Sequence, residues 1–375
     1  MGGVNSPPYI MNKIISYLVG FIMVSLALIP PIDFRLTMPG EYWPYLILIV
    51  GFLGFYLVCL KTSNWIKSIC LISFLNCFTS NAPMISFNAY VSVVACCYFY
   101  VLCEKVKDYR PIFSMLQCLV VYEIFFVFMQ FFGKDVLLNF HVATNCFATV
   151  GQHMQMASFA VILSSVLIVH NPTNILFPII ISFFCNSVGG FLSSCFGILI
   201  TVWDKKYYRY ISIIFCILLF TLWLLLSGKY NQNISFSNGS RIGVWFESIK
   251  LSLNHPFFGY GIGTYQHLFP ILSFPEIKNH TIPWKTAHNC WLQLLFEMGI
   301  FGLSFFIFYS INLCRKLFRL TKRAIFVYQA RICLAGLAMI GVNMMFHFPT
   351  RMIQTVPMII FFLTYCEKVV KNGRN

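Results

Sequence analysis

The sequence predicts an all-α, polytopic integral membrane protein, and three observations carry that expectation. Only 10% of the 375 residues are charged while 59% are hydrophobic, against roughly 25% charged in an ordinary soluble domain. The 41 phenylalanines are more than one water-soluble core of this size hides. Apolar runs of about 15–22 residues recur along the chain, and roughly 20 helical residues cross the hydrocarbon of a bilayer.

Taken in order, the runs give about twelve crossings. They are 14–31, 44–60, 63–78, 84–103, 111–132, 151–170, 173–185, 188–203, 209–227, 291–313, 326–347 and 351–366. Residues 173–203 also admit a single broken segment, because polar and small residues interrupt "NILFPIIISFFCNSVGGFLSSCFGILITVW". The run "MNKIISYLVGFIMVSLALIP" begins like a signal peptide, but no small-residue cleavage site follows, so it reads as a retained first crossing. Residues 1–375 read as one multi-spanning domain without internal repeats.

Basic residues set the orientation, since Lys and Arg gather on the cytoplasmic side. With the N-terminus inside, the inner segments collect Lys13, Lys61, Lys67, Lys105, Lys107, Arg110, Lys205, Lys206 and Arg209. They also collect Arg315, Lys316, Arg319, Lys322, Arg323, Lys368, Lys371 and Arg374, making 17 of 26 basic residues. The outer side holds Arg35, Lys134, Lys229, Arg241, Lys250, Lys278, Lys285 and Arg351, and Arg331 lies within a helix near enough to its end to snorkel. Both termini are then cytoplasmic, and the long 228–290 loop lies on the far side. The net charge of +15 serves topology; membrane lipids, not nucleic acid, are its expected partners. Most of the 15 cysteines fall within apolar runs as small apolar side chains. Cys146 and Cys290 approach the outer face, where nothing requires a bridge.

The loop has its own pattern. After "NQNISFSNGS", rich in turn and cap residues, Ile242, Trp245, Phe246, Ile249 and Leu253 follow the 3.6 period. Arg241, Glu247, Lys250 and Asn254 take the remaining surface of this amphipathic helix, and Pro256 stops it. It lies along the membrane surface or packs on the bundle; the sequence admits both. In "GYGIGTY", Gly259, Gly261 and Gly263 alternate, as a tight turn or a backbone cradle for phosphate or sugar. This is no dinucleotide fingerprint, because the βαβ setting is missing. His288 and Asn289 stand at the entrance of the next helix, where unbonded N–H groups favour an anion. Gln293 and Glu297 share a face below Asn289, and a carboxylate so placed belongs in the bundle interior. His255, His267, His280 and His288 share the loop without a tight ligand pair or cysteine set, so no metal is expected.

The order "R…W…HPFFGYGIGTY", a short gap, then "HNCWLQLLFEMGIFGL" resembles the bacterial O-antigen ligase and polymerase superfamily of membrane glycosyltransferases, which includes pilin O-oligosaccharyltransferases. The similarity is densest over 240–305. "NMMFHFPTRM" at 343–352 is similar to the family's late outer-face segment. The resemblance implies transfer of a saccharide from undecaprenyl diphosphate to a hydroxyl acceptor, on the periplasmic side of the bacterial inner membrane, without a cofactor. The acceptor is lipid A–core for a ligase, another glycan for a polymerase and a pilin hydroxyl for a protein transferase. The modest length favours the ligase.

By that resemblance Arg241 and His288 are the catalytic residues. A guanidinium engages two phosphate oxygens at once, so Arg241 holds the diphosphate. His288 accepts the acceptor's proton or positions a substrate. Gly259, Gly261, Gly263, Asn289 and Arg351 are the expected substrate contacts, with Gln293, Glu297 and His347 in support. One departure stands out: relatives carry an arginine in a small-residue stretch where this chain has Val188, and Lys229 or Arg351 is left to supply that charge. A transporter of lipid-linked saccharide would share the apolar helices and a cationic cavity, but neither it nor a non-catalytic scaffold needs an Arg241–His288 pair on one side.

Overall fold

The computed structural model describes residues 7–28, 62–132, 153–202, 238–273 and 284–373, with a few isolated positions besides. These residues are all-α. In chain order the described helices begin with α1 (Pro7–Ala27), α2 (Asn64–Thr79), α3 (Pro83–Glu104), α4 (Arg110–Phe131), α5 (His153–Leu167) and α6 (Leu176–Phe184). They continue with α7 (Val188–Thr201), α8 (Asn238–Ser252), α9 (Tyr265–Leu272), α10 (Cys290–Leu320), α11 (Val327–Phe346) and α12 (Val356–Asn372).

The expectation of about twelve crossings is overturned. Among the described residues four helices, α3, α4, α10 and α11, are long and apolar enough to cross a membrane. The others fall short: α2 has 16 residues, α5 15, α6 9, α7 14 and α12 17, and the apolar part of α1 is Met11–Ala27. At 1.5 Å per residue α5 and α7 reach only about 21–23 Å, less than the roughly 30 Å of hydrocarbon. Runs 44–60 and 209–227 lie almost wholly outside the described residues. The physical reason is that hydropathy cannot tell lipid-facing from protein-buried side chains. Every residue from Met156 to Leu167 in α5 is buried, so its apolarity serves packing, as in any helix that is hydrophobic all round.

Apolar helices of spanning length in an all-α chain are those of a multi-pass membrane protein, and α4 shows the matching inside-out pattern. Val121, Phe125, Phe128 and Phe132 form an exposed stripe, while Glu123 and Gln130 are buried. Water would select the reverse; lipid tolerates the rings and drives the carboxylate inward.

Contacts divide the chain into two units. One comprises Met1–Ile32, Leu102–Ile234 and Leu313–Asn375. Within it α5 packs against α6, α7, α11 and α12, and α7 lies along α11. Val161, Ile168, Ile332, Ala335 and Met339 form a core cluster there. The 173–203 stretch is two short helices meeting at Cys185–Ser187, where Asn186 has φ 51° and Ser187 caps α7 by accepting from Gly190 N.

The second unit comprises Asp33–Val101 and Ser235–Asn312. The α2–α3 hairpin packs through Cys70, Cys77, Tyr90, Val94 and Cys97. A separate aromatic core joins Val244 and Leu251 of α8 to Tyr260, Tyr265, Phe269 and Phe296. Tyr260 stacks on Phe296 at 4.5 Å and Tyr265 on Phe269 at 4.6 Å.

Candidate functional site

Helix α8 turns most of its apolar stripe outward, in keeping with one of the two arrangements that the sequence admits. Val244, Glu247, Ser248, Leu251 and Ser252 point inward, whereas Phe246, Ile249 and Leu253 of the apolar stripe are exposed. Small residues on the inner face let α8 approach its neighbours closely, and Ser248 Oγ shares a 2.8 Å bond with Tyr265 OH. Glu247, expected on the outer surface, is instead buried, with Lys250 Nζ 3.7 Å from its carboxylate. An outward apolar stripe on a helix whose inner face is partly polar belongs at a lipid surface.

The indole of Trp245 fixes what α8 faces. Its Nε1–H donates to Ala287 O over 2.8 Å. Arg241 stands one turn before Trp245, and His288 follows Ala287, so the bond ties together the segments that carry the two predicted residues. Burial, and then the Arg241 charge, pulls the His288 imidazole down from 6.5 to about 4. Burial also lowers the Arg241 guanidinium, which stays charged because its unperturbed value is far above neutrality.

His288 has φ 50°, a left-handed backbone unusual for a side chain of its size. Its ring stands edge-on to Trp284 at 5.5 Å. The turn is closed by Asn289, whose Oδ1 accepts from Trp291 N at 3.0 Å and Leu292 N at 3.2 Å. That side-chain oxygen therefore uses two of the N–H groups expected to greet an anion, and it turns the chain sharply from His288 into α10.

Further along α10 the helix breaks at Gly299, with φ 64° and ψ −166°. An unbroken helix would bond Ile300 N to Phe296 O and Phe301 N to Glu297 O. Here the loop after α8 enters the gap. Tyr260 N donates to Phe296 O and Gly261 N to Glu297 O, both at 2.9 Å. Ile300 N donates to Pro256 O at 2.8 Å and Phe301 N to Phe257 O at 3.3 Å. The two carbonyls and two N–H groups that would have bonded each other across the break are thereby satisfied, as an apolar setting demands. The approach leaves no room for a side chain at Gly259, where a Cβ would lie 2.5 Å from the Glu297 carbonyl carbon.

The same loop is pinned from its other side. Asn76 Nδ2 donates to Phe258 O, and Ile262 N donates to Asn76 Oδ1, each over 2.7 Å. Ser80 Oγ donates to Tyr260 O at 3.1 Å, and Ser80 and Ser86 crowd Gly261 as Ala89 crowds Gly263. The three glycines thus sit against protein atoms. Glu297 is buried, and its Oε1 accepts from Tyr265 N at 3.3 Å and Gln293 Nε2 at 3.4 Å.

Arg241, Gly259, Gly261, Gly263, His288, Asn289, Gln293 and Glu297 therefore share one unit. His347 and Arg351 belong to the other. There His347 is buried with Nε2 3.3 Å from Ser187 Oγ, and the close approach of Gly189 leaves 2.7 Å between that nitrogen and a Cβ. Arg351 is exposed at the end of a 3-10 turn, Pro349–Arg351, whose Pro349 is buried. Val188 opens α7, and Lys229 lies outside the described residues. Among the described residues no three His, Cys, Asp or Glu side chains are grouped to hold a metal.

Residues 151–307 match the O-antigen ligase family. The O-antigen ligase domain so defined runs from the start of α5 into α10 and contains Arg241, the glycine loop, His288 and Glu297. It covers less than half of the chain and stops before His347 and Arg351. Membership of that stretch supports a ligase or glycosyltransferase-type activity in general, one that handles lipid-linked glycan. No curated protein matches the chain. The groups that position the candidate site, Asn76, Ser80, Trp245 and Tyr265, escape a sequence reading because most of their partners are backbone atoms.

Proposed function

We propose that the protein is a membrane glycosyltransferase that moves a saccharide from undecaprenyl diphosphate to a hydroxyl of lipid A–core, on the periplasmic face of a bacterial inner membrane. The observation that supports this most is that a permanent cation, Arg241, acts electrostatically on a neutral imidazole, His288, from segments that the Trp245–Ala287 bond ties together. In the transfer the anomeric carbon–oxygen bond to diphosphate breaks, and the electron pair leaves on the phosphate oxygen. The acceptor oxygen bonds to the anomeric carbon and loses its proton. Arg241 neutralises the charge that develops on the departing diphosphate, and His288, unprotonated at neutral pH, takes the proton.

Donor binding also prepares the base. The free site holds the imidazole near 4 partly because Arg241 repels its protonated form. A bound diphosphate offsets that charge and raises the imidazole towards a useful basicity. Arg241 then favours proton transfer only when a donor is in place, which limits wasteful reaction with water.

The basic asymmetry of the sequence supports a topology with both termini in the cytoplasm and the 228–290 segment outside. The partners are the lipid-linked donor, a hydroxyl acceptor and surrounding lipid, and the chemistry needs no cofactor. Incubating the purified chain with undecaprenyl-diphosphate saccharide and, in parallel, lipid A–core, a second donor molecule or pilin tests the reading. Transfer to lipid A–core is expected. Elongation of the donor alone would make it a polymerase, and glycosylated pilin a protein transferase. Movement of intact donor across vesicles without transfer would replace the enzyme by a transporter.

A further inference from the structure

A second feature lies in the other unit, at the last turns of α10. There Arg315, Arg319 and Lys322 line a shallow groove with Cys314, Phe318 and Leu334 of α11. Positions 315, 319 and 322 follow i, i+4 and i+7, so the three side chains rise from one helical face. All three are exposed, and so is Phe318 beside them. Among the described residues none of the three cations is in an ion pair. The groove thus joins three uncompensated charges to an apolar floor.

Its place along the helix narrows the occupant. Residues 300–314 carry no charge, and the cations begin directly after them, at the level where hydrocarbon gives way to headgroups. A soluble anion would be drawn by the charges alone and gains nothing from Phe318 and Leu334. A phospholipid uses both, with phosphate oxygens against the guanidinium groups and the first acyl carbons on the floor. We infer that this groove is a binding site for the phosphate-bearing headgroup of an anionic phospholipid, distinct from the site that holds the transferred saccharide. The inference does not rest on the glycosyltransferase reading, because none of these residues belongs to the Arg241–His288 site.

Native mass spectrometry of the full chain, extracted from vesicles of cardiolipin, phosphatidylglycerol and phosphatidylcholine, counts the lipids retained. The anionic lipids, cardiolipin foremost, are expected to stay bound. Each of Arg315→Gln, Arg319→Gln and Lys322→Gln is expected to weaken retention about fivefold, and the triple variant to lose it. A control, Lys105→Gln with Lys107→Gln and Arg110→Gln, removes equal charge elsewhere in the same unit and should retain lipid as the wild type does. Because the three groove residues are exposed, the single variants remain foldable even if the triple is not. Equal loss in control and groove variants would reduce the effect to net charge and overturn the site. So would unchanged retention in the groove variants. Displacement of the lipid by an equal concentration of inorganic phosphate would reassign the groove to a free anion.

Discussion

Trp245 donates its indole N–H to the backbone carbonyl of Ala287 over 2.8 Å, tying the helix that carries Arg241 to the residue before His288. The bond joins a helix to a turn, beside the packing of Val244 in one core with Ala287. Trp245→Phe keeps an aromatic ring but removes the donor. It is expected to lower stability by about 1 kcal/mol and to cut the transfer rate more than such a loss explains, because a small displacement of reacting groups is costly. Melting temperature and single-turnover rate, measured on the same preparation, check this. Wild-type turnover in a folded Trp245→Phe would show that the pair does not depend on the bond.

Arg241 and His288 should separate by assay. Arg241→Ala is expected to weaken binding of the lipid-diphosphate donor, and Arg241→Lys to restore only part, since it keeps charge but loses the two-pronged guanidinium. His288→Ala should leave donor affinity nearly intact and suppress bound-state turnover. A large affinity loss with ordinary turnover in His288→Ala would make the histidine a donor-positioning group.

The imidazole also carries a pH signature. In the folded chain it resists protonation until about pH 4, against 6.5 for an unperturbed histidine. Between those values the unfolded chain binds a proton that the folded chain refuses. The stabilising contribution is therefore complete above pH 6.5 and is lost as pH falls towards 4. Wild-type melting temperature should drop more steeply than that of His288→Gln across this window. Parallel curves for the two proteins would remove His288 as the source.

Two glycines in neighbouring segments should respond in opposite directions. Gly259 has φ 68° and the Glu297 carbonyl at its α-carbon, so Gly259→Ala is expected to disrupt the α10 break and lower stability by several kcal/mol. Gly243 lies in α8 with open space where a Cβ would stand, nothing coming within 4 Å of it, and Gly243→Ala should raise stability by about 0.5–1 kcal/mol. Thermal denaturation of both variants decides the point, and similar shifts would contradict the packing described for the loop.

Glu297 offers a further test through its two donors, Tyr265 N and Gln293 Nε2. Glu297→Gln retains an accepting oxygen and should be mild. Glu297→Leu strands both buried donors and should cost about 1–3 kcal/mol. Full stability and activity in Glu297→Leu would show the network to be dispensable.

The sequence made the four long apolar helices legible because length and composition decide them. It overcounted crossings where composition misleads: α5, buried on every side, has the same hydropathy as a lipid-facing helix. Arg241 and His288 stand out because a cation and an imidazole are conspicuous in an apolar chain, and their site role rests on the family resemblance. The orientation of α8 was not, since the stripe of Phe246 and Leu253 looks identical whether it faces protein or lipid. The break in α10 had one trace, Gly299 inside an otherwise helical run. Its cause, the peptide groups of residues 256–261, lies some 40 positions earlier and leaves no mark on local pattern.

That break has a bearing on how the chain assembles. Within hydrocarbon an unfilled gap in a helix is costly, so the expected order is a continuous helix first, with the break only when the loop arrives. The loop then displaces two internal bonds and supplies its own peptide groups in their stead. The step is a strand-exchange reaction in miniature, with bonds conserved at the rod while the loop gives up its bonds to water. Tyr260 stacks on Phe296 beside the exchanged bonds, so the aromatic contact that seats the loop also holds the break open.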